Sequence, residues 1–291
     1  MHEKLLHFAG AIRRQEEKKA RSINLVASEN VISDGVRRLQ SSVLSNRYIL
    51  DDFPNNLELR EIQEYVNDAL SRMYKARHVS TAPLSGMNCM ELIIGSLAKN
   101  GDNIYVLDPM DGGHGSTQRI CQLYGLKLNH LPYDNDRNVI DVDILERAFA
   151  RSRPDIIYVD NTIVLFYSDI NRLKQLASAY GATVVYDGSH VLGLIAGGAF
   201  PNPLEDGADV LNGSTHKTFF GPQKGIIMTN DDKTFKTVKL LSSDFISSTH
   251  TGNLLALYMA TLEIEQYGAE YAHKVVRNAK ALGKELLARG G

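Results

Sequence analysis

The sequence predicts an α/β domain, a mostly parallel sheet with helices on both faces. Three observations carry that expectation. Short apolar runs recur through the middle of the chain, among them 103–107 (NIYVL), 155–159 (DIIYV) and 182–186 (ATVVY), and they are apolar at successive positions, as strands buried on both faces are. Segments of helical periodicity separate them, so strands alternate with helices in the order that builds a parallel sheet. Polar and glycine residues cluster directly after the strand runs, where α/β sheets place their binding sites.

The elements follow in order. Leu5, Phe8, Ala9 and Ile12 fall at i, i+3, i+4 and i+7 and mark a first amphipathic helix. The stretch 28–56 is polar and rich in turn residues. Ile62, Tyr65, Val66, Ala69, Leu70 and Met73 line a second helix, and Met90, Ile93, Ile94 and Leu97 a third. Beyond the three strands already named, 126–131, 209–211 and 225–228 read as strands, with helices over 141–151 and 171–180. From residue 253 the pattern is helical to the end: Leu254, Leu257, Tyr258, Thr261, Leu262 and Glu265 share a face, and a separate helix is expected from Ala269. The expected division is an N-terminal helix and arm over 1–45, a large domain over 46–250, and helices over 251–291 leading toward a small C-terminal domain.

Composition limits the function classes. The chain has 291 residues, 43% hydrophobic and 23% charged, the mix of a globular protein able to bury a sizeable core. A net charge of −2 gives no pull toward nucleic acid or acidic membranes. Cys89 and Cys121 form no CxxC pair, so neither a disulfide framework nor a zinc site is expected. The N-terminus lacks the apolar core and small-residue cleavage site of a secretory signal. Its basic residues, Arg13 to Arg21, are interleaved with Glu16 and Glu17, which transit peptides avoid. No apolar run approaches the ~18 residues that span a bilayer. A cytoplasmic protein with no membrane or nucleic-acid partner is the expectation.

The strand ends carry the chemistry. After 182–186 comes Asp187-Gly188-Ser189-His190; after 209–211 comes Asn212-Gly213-Ser214-Thr215-His216-Lys217-Thr218. Ser85-Gly86 opens a helix after a break at Thr81-Ala82-Pro83, and Asp108 to His114 follows 103–107. Taken singly, each has an ordinary structural explanation: a strand-end Asp caps a helix, a Lys is solvated surface, Ser-Gly is a cap. Together they are what pyridoxal phosphate (PLP) requires. Its aldehyde needs a lysine amine, its pyridine nitrogen a carboxylate partner, and its phosphate the free N–H groups of a helix start.

Two longer stretches carry a resemblance. SINLVASENVISDGVRRLQSSVLSNRY near the N-terminus and YDGSHVLGLIAGGAFPNPLEDGADVLNGSTHKTFFGPQKGIIM later in the chain resemble the signature segments of the serine hydroxymethyltransferases, in register from about Arg21 to the last helix. The resemblance implies the aspartate-aminotransferase-like fold of PLP enzymes (fold type I) and a homodimer with active sites shared between subunits. It makes Lys217 the Schiff-base lysine with His216 as its neighbour, Asp187 the pyridinium partner, and His190 and Thr162 the residues near the cofactor's 3-hydroxyl. It further implies Ser85, Gly86 and Ser214 at the cofactor, with Ser85 and Gly86 on the phosphate, His114 stacked on the ring, Ser28 on the substrate carboxylate, and Tyr48 as the active-site tyrosine.

The departures from that pattern concern the reaction. The glutamate that serves folate chemistry is replaced by Asp51, one methylene shorter and displaced by one residue; leucines that pack on folate are Pro109 and Gly115; a phosphate-loop serine is Met87. Gly221-Pro222-Gln223-Lys224-Gly225 and Asp111-Gly112-Gly113-His114 together resemble a divergent branch, the L-threonine transaldolases. The resemblance thus implies an enzyme that makes or breaks the Cα–Cβ bond of β-hydroxy-α-amino acids, acting on an amino acid and an aldehyde acceptor. A folate-dependent hydroxymethyltransferase is the alternative within the class, and a non-catalytic PLP-fold scaffold the alternative outside it. In the family an arginine on a small C-terminal domain clamps the substrate carboxylate. No arginine matches it here, so the expectation is a chain catalytically incomplete by itself, either cut short of that domain or completed by a separate polypeptide, unless Lys224 or Arg47 takes the arginine's place.

Overall fold

A computed structural model describes residues 2–49 and 56–290. Its centre is a seven-stranded sheet. Strands β1 (His78–Ser80), β2 (Asn103–Val106), β3 (Lys127–His130), β6 (Ile156–Val159), β7 (Thr183–Asp187), β8 (Val210–Ser214) and β9 (Gly225–Thr229) lie in the order β1-β9-β8-β7-β6-β2-β3. The β8, β7, β6, β2 and β3 neighbours pair in parallel, whereas β9 runs antiparallel to both β8 and β1. The sheet is mostly parallel as expected, with β9 alone reversed. A two-stranded ribbon, β4 (Tyr133–Asp134) and β5 (Val139–Ile140), stands apart from it.

Alternate residues of each strand feed two different cores. Tyr105, Leu107, Ile157, Val159, Val184, Tyr186, Ile226 and Met228 point to one face, and Ile104, Val106, Ile156, Tyr158, Val185 and Ile227 to the other. The first face is covered by α3 (Leu57–Tyr74), α6 (Val142–Arg151), α7 (Ile170–Tyr180), α8 (Leu192–Ala196) and α10 (Thr251–Ala288). The second is covered by α4 (Gly86–Leu97), α5 (Gly115–Leu123) and α9 (Asp232–Phe245). A strand with both faces buried cannot alternate apolar and polar, which is why the apolar runs were legible as short, continuous blocks. The first helix, α1 (His2–Ala20), leaves Leu5, Leu6, Phe8 and Ile12 exposed.

Two expectations need correction. The stretch 28–56 contains a helix, α2 (Asp34–Gln40), capped by Ser33, whose hydroxyl accepts from Val36 N–H and donates to Glu263 on α10 at 2.6 Å. Only Val36 on it is buried, so it has no apolar stripe to read; packing against α10 holds it. The separate helix from Ala269 does not exist: α10 runs unbroken for 38 residues. The backbone of α10 at Gly268 packs against the end of α8, so closely that a side chain on Gly197 would collide with the Gly268 carbonyl. Beyond Ala272, α10 is largely exposed, Leu282, Leu286 and Leu287 included. Among the described residues no helix is long and apolar enough to cross a membrane.

Candidate active site

The ends of β2, β6, β7 and β8 lie at one edge of the sheet because these strands are parallel. The start of β9 joins them because it is reversed, and α4 begins beside them because β1 runs with the parallel set. A pocket of about 230 Å³ opens at this edge. Ser85, Gly86, His114, Thr162, Asp187, His190, Ser214, His216 and Lys217 all line it, as do Met87, Met90, Asp160, Asn161 and Ser189.

Asp187 ends β7 and is 8% exposed. Its Oδ1 accepts from Ser189 N–H at 2.9 Å and its Oδ2 from the Asn212 amide at 3.0 Å. Asn212 is oriented in turn by Tyr158, whose hydroxyl donates to Asn212 Oδ1 at 3.0 Å. A carboxylate has about four lone-pair sites, so two bonds fix its plane and leave acceptor capacity for the pocket. Lys217, three residues beyond β8, places Nζ 3.1 Å from His190 Nε2. Burial lowers the Lys217 pKa, opposed by the Asp187 charge. Burial also pushes His190 down to about 4, with Lys217 the next cause, so this imidazole is neutral and accepts from the ammonium.

His114 caps α5; its Nδ1 accepts from Ser116 N–H at 3.3 Å, which leaves the ring proton on Nε2. Its pKa, like that of His216, is lowered chiefly by burial. The Thr162 hydroxyl donates to the Gly112 carbonyl at 2.8 Å and keeps lone pairs to offer. Ser85 caps α4 by accepting from Asn88 N–H at 3.1 Å, which leaves the first N–H groups of a 12-residue helix open at the pocket floor.

Whether PLP fits can be tested on unfilled partners. Ser214 Oγ and His216 Nδ1 are buried without a hydrogen-bond partner, and both residues line the pocket. Buried polar groups are nearly always satisfied, so these atoms call for a polar occupant. Gly86 is a close approach: a Cβ there would lie 3.2 Å from Ser189 Oγ and from Ser214 Cβ. A lysine with lowered pKa, a carboxylate fixed in plane, a histidine in the lining and a helix start beside them are the donor set PLP needs.

Three expected residues are not gathered here. Ser28 lines a neighbouring cavity, which shares His216 with the pocket. Tyr48 is 50% exposed and does not line the pocket; its carbonyl accepts from Asn56 at 3.0 Å. Asp51 lies outside the described residues. Lys224 is fully buried and lines no part of the pocket, so it is in no position to replace the carboxylate-clamping arginine.

Sequence reasoning passed over Asp160, the residue that shapes the pocket's far wall. It directly follows β6, the same strand-end position that singled out Asp187. Asp160 Oδ1 accepts from Leu107 N–H at 3.0 Å, and its Oδ2 from His114 N–H at 3.1 Å and from the Thr117 hydroxyl. It therefore ties β2, the His114 turn and α5 together. Burial raises its pKa to about 6 against the pull of those donors.

Comparison with known proteins agrees with this geometry. A family model described as "Serine hydroxymethyltransferase" matches residues 4–291. The chain is 37% identical over 276 residues to a serine hydroxymethyltransferase of Archaeoglobus fulgidus, covering 92% of this chain and 63% of that protein. It is 36% identical to the fluorothreonine transaldolase of Streptantibioticus cattleyicolor, over 96% of this chain and 46% of that one. The crystal structure of L-threonine transaldolase from Pseudomonas fluorescens in its internal aldimine state superposes with a TM-score of 0.94 at 27% identity, over 99% of this chain and 69% of that one. The chain thus spans less than two thirds of the length of these first two relatives, and within that span it matches almost from end to end. With the site's geometry and the match over residues 4–291 in agreement, the chain belongs to the serine hydroxymethyltransferase family.

Proposed function

We propose that this chain is the PLP-holding domain of an enzyme that makes or breaks the Cα–Cβ bond of β-hydroxy-α-amino acids, with an aldehyde as the second reactant. The observation that carries the reading is the Lys217 amine, its pKa lowered by burial, sharing one pocket with the fixed carboxylate of Asp187. When bound, PLP supplies the electron sink that lets a bond to the amino acid's α-carbon break.

The chain's own residues do the rest. Lys217 offers an amine that sheds its proton more readily than a solvated lysine, as nucleophilic amine chemistry requires. Asp187, oriented by Ser189 and Asn212, holds a proton at the ring nitrogen. His114, its backbone anchored on Asp160, would lie against the ring. The open N–H groups of α4 bind the phosphate. Neutral His190 accepts a hydrogen bond from Lys217 Nζ, 3.1 Å away, and orients it without adding a second positive charge. Likeness to two transaldolases supports aldehyde exchange over hydroxymethyl transfer to folate. The partners we propose are a small amino acid, an aldehyde and a second copy of this chain, with Tyr48, half exposed and away from its own pocket, offered to the partner's site.

Product analysis tests this. PLP-loaded protein is incubated with L-threonine or L-serine, with and without added aldehyde or tetrahydrofolate. The expected result is acetaldehyde from threonine and a new β-hydroxy amino acid when aldehyde is present. Glycine formation from serine that depends on tetrahydrofolate would favour ordinary hydroxymethyl transfer, and bound PLP with no turnover would favour a scaffold.

A further inference from the structure

One buried charge is unused by the reaction chemistry. Lys224 has no exposed surface, yet its Nζ makes only a long hydrogen bond, 3.3 Å to the Pro83 carbonyl, which also accepts from Gly225 N–H at 3.1 Å. Leaving a cation in the interior with so little compensation is expensive unless another charge repays it. Its position indicates which charge. Because β9 is reversed, its first residues lie at the sheet edge that holds Lys217. The 224–225 backbone packs directly beneath the segment that opens α4, so closely that a side chain on Gly225 would collide with the Ser85 carbonyl and Cys89 Sγ. Lys224 therefore underlies the helix start at the pocket floor.

That floor lacks a cation of its own. Ser85 spends its hydroxyl acceptor on Asn88 N–H, and Gly86 and Met87 follow. Among the described lining residues Lys217 is the one lysine or arginine, and it is engaged with His190. A phosphate at this floor carries between one and two negative charges near neutral pH, with backbone dipoles and the neutral hydroxyls of Ser189 and Ser214, but no lining cation free of another partner, to meet it.

We propose that Lys224 is the buried counter-charge for the cofactor's phosphate, acting across the Pro83–Ser85 backbone as a positioning residue rather than as a direct ligand. The inference rests on the PLP reading of the pocket. Burial alone pushes the Lys224 pKa down to about 7. The titratable group facing it is the Cys89 thiol on α4, kept neutral because burial drives its pKa well up; Asp187 acts on Cys89 from beyond. A phosphate arriving above restores the ammonium, so ligand affinity and Lys224 protonation are linked.

The test uses pyridoxine 5′-phosphate, which has no aldehyde and so cannot bond to Lys217, alongside unphosphorylated pyridoxine. Affinities are measured by fluorescence titration at pH 6.5 and 8.5 for the wild type, K224M and K224Q, with melting temperatures of the ligand-free proteins. Both variants should bind the phosphate ester about tenfold more weakly than wild type at pH 6.5, the worth of one pKa unit. They should approach wild type at pH 8.5, bind pyridoxine unchanged, and melt no lower than wild type without ligand. K224Q keeps a donor for the Pro83 carbonyl but no charge, and it keeps the test alive should K224M not fold. Wild-type affinity in K224Q, or a loss equal at both pH values, would overturn the proposal and leave Lys224 a structural clamp. Failure of the wild type to bind the phosphate ester at all would overturn the cofactor reading itself, and this inference with it.

Discussion

Lys217 Nζ lies 3.1 Å from His190 Nε2, an amine and an imidazole that cannot both be charged at that distance in a half-buried pocket. The histidine yields: its pKa is pushed down to about 4, while Lys217, lowered by burial, is partly restored by Asp187. The pair thus enters the pH range of a cell with one proton to share and a neutral acceptor beside it.

Lys217→Ala should remove the visible absorbance of lysine-bound PLP and all turnover while leaving the fold intact. Its Nζ hydrogen-bonds to His190, and Asp187, whose charge it feels across the pocket, keeps its bonds from Ser189 N–H and the Asn212 amide when the lysine is removed. Borohydride treatment followed by peptide mass mapping checks the assignment. Cofactor still trapped on a lysine in the variant would show that another residue holds it.

Asp187→Asn should retain PLP but slow bond cleavage by orders of magnitude, since an amide cannot hold the ring nitrogen protonated. The Asn212 amide donates to Asp187 Oδ2 and the Ser189 N–H to Oδ1. One of these donors would therefore meet an NH₂ group, with a stability loss of about 1–3 kcal/mol. Single-turnover rates and urea melts measure the two effects separately. Turnover within a few-fold of wild type would mean that a different acid serves the ring.

Asp160→Asn should act on stability and on His114 together. Its Oδ2 receives two donors, His114 N–H and the Thr117 hydroxyl, and an amide NH₂ there would face both. A loss of about 1–3 kcal/mol is expected, with a shifted cofactor absorbance as His114 moves. The pH dependence has a definite sign. Asp160 titrates at about 6 in the folded chain, above its ordinary value of 3.8, so the folded state binds the proton more tightly. Its contribution to stability therefore rises as pH falls from about 6 toward 4, and the wild type should gain stability relative to the variant across that window. Parallel stability curves for the two proteins would contradict the raised pKa.

Gly193→Ala should disturb Lys217 from a distance. A Cβ at Gly193, on α8, would collide with the Thr218 carbonyl and the Phe219 nitrogen, while Gly193 N–H donates to the Thr218 hydroxyl at 3.2 Å. Overpacking of this kind costs about 1–3 kcal/mol, and the backbone that gives way is the one carrying Lys217. Reduced melting temperature together with weaker PLP retention is the expected outcome. A variant with normal melting and normal PLP retention would show that the 217–219 turn moves freely.

Much of this was readable along the chain. Strands 103–107, 155–159 and 182–186 announced themselves because both of their faces are buried, and the residues following them were candidates by position alone. The short helix α2 was not readable, since with Val36 its one buried residue it has no stripe, and it forms because α10 covers it. The continuity of α10 past residue 269 was unreadable for a related reason: its backbone there packs against the end of α8 at Gly197, a neighbour that sequence does not place.

By itself the sequence determined the layered α/β architecture, because burial on two faces writes itself into strand composition, and it supplied Lys217 and Asp187 as the residues to watch. The tertiary structure decided which polar residues meet. It drew Asp160 beneath His114, left Tyr48 outside the pocket, and set buried Lys224 under the start of α4. The physical reason is that strand direction fixes which ends of distant segments share an edge. The reversal of β9 brings residue 224 back to the edge where residue 217 lies, and the antiparallel pairing of β9 with β8 that causes it is a hydrogen-bond register that neither strand's own pattern records.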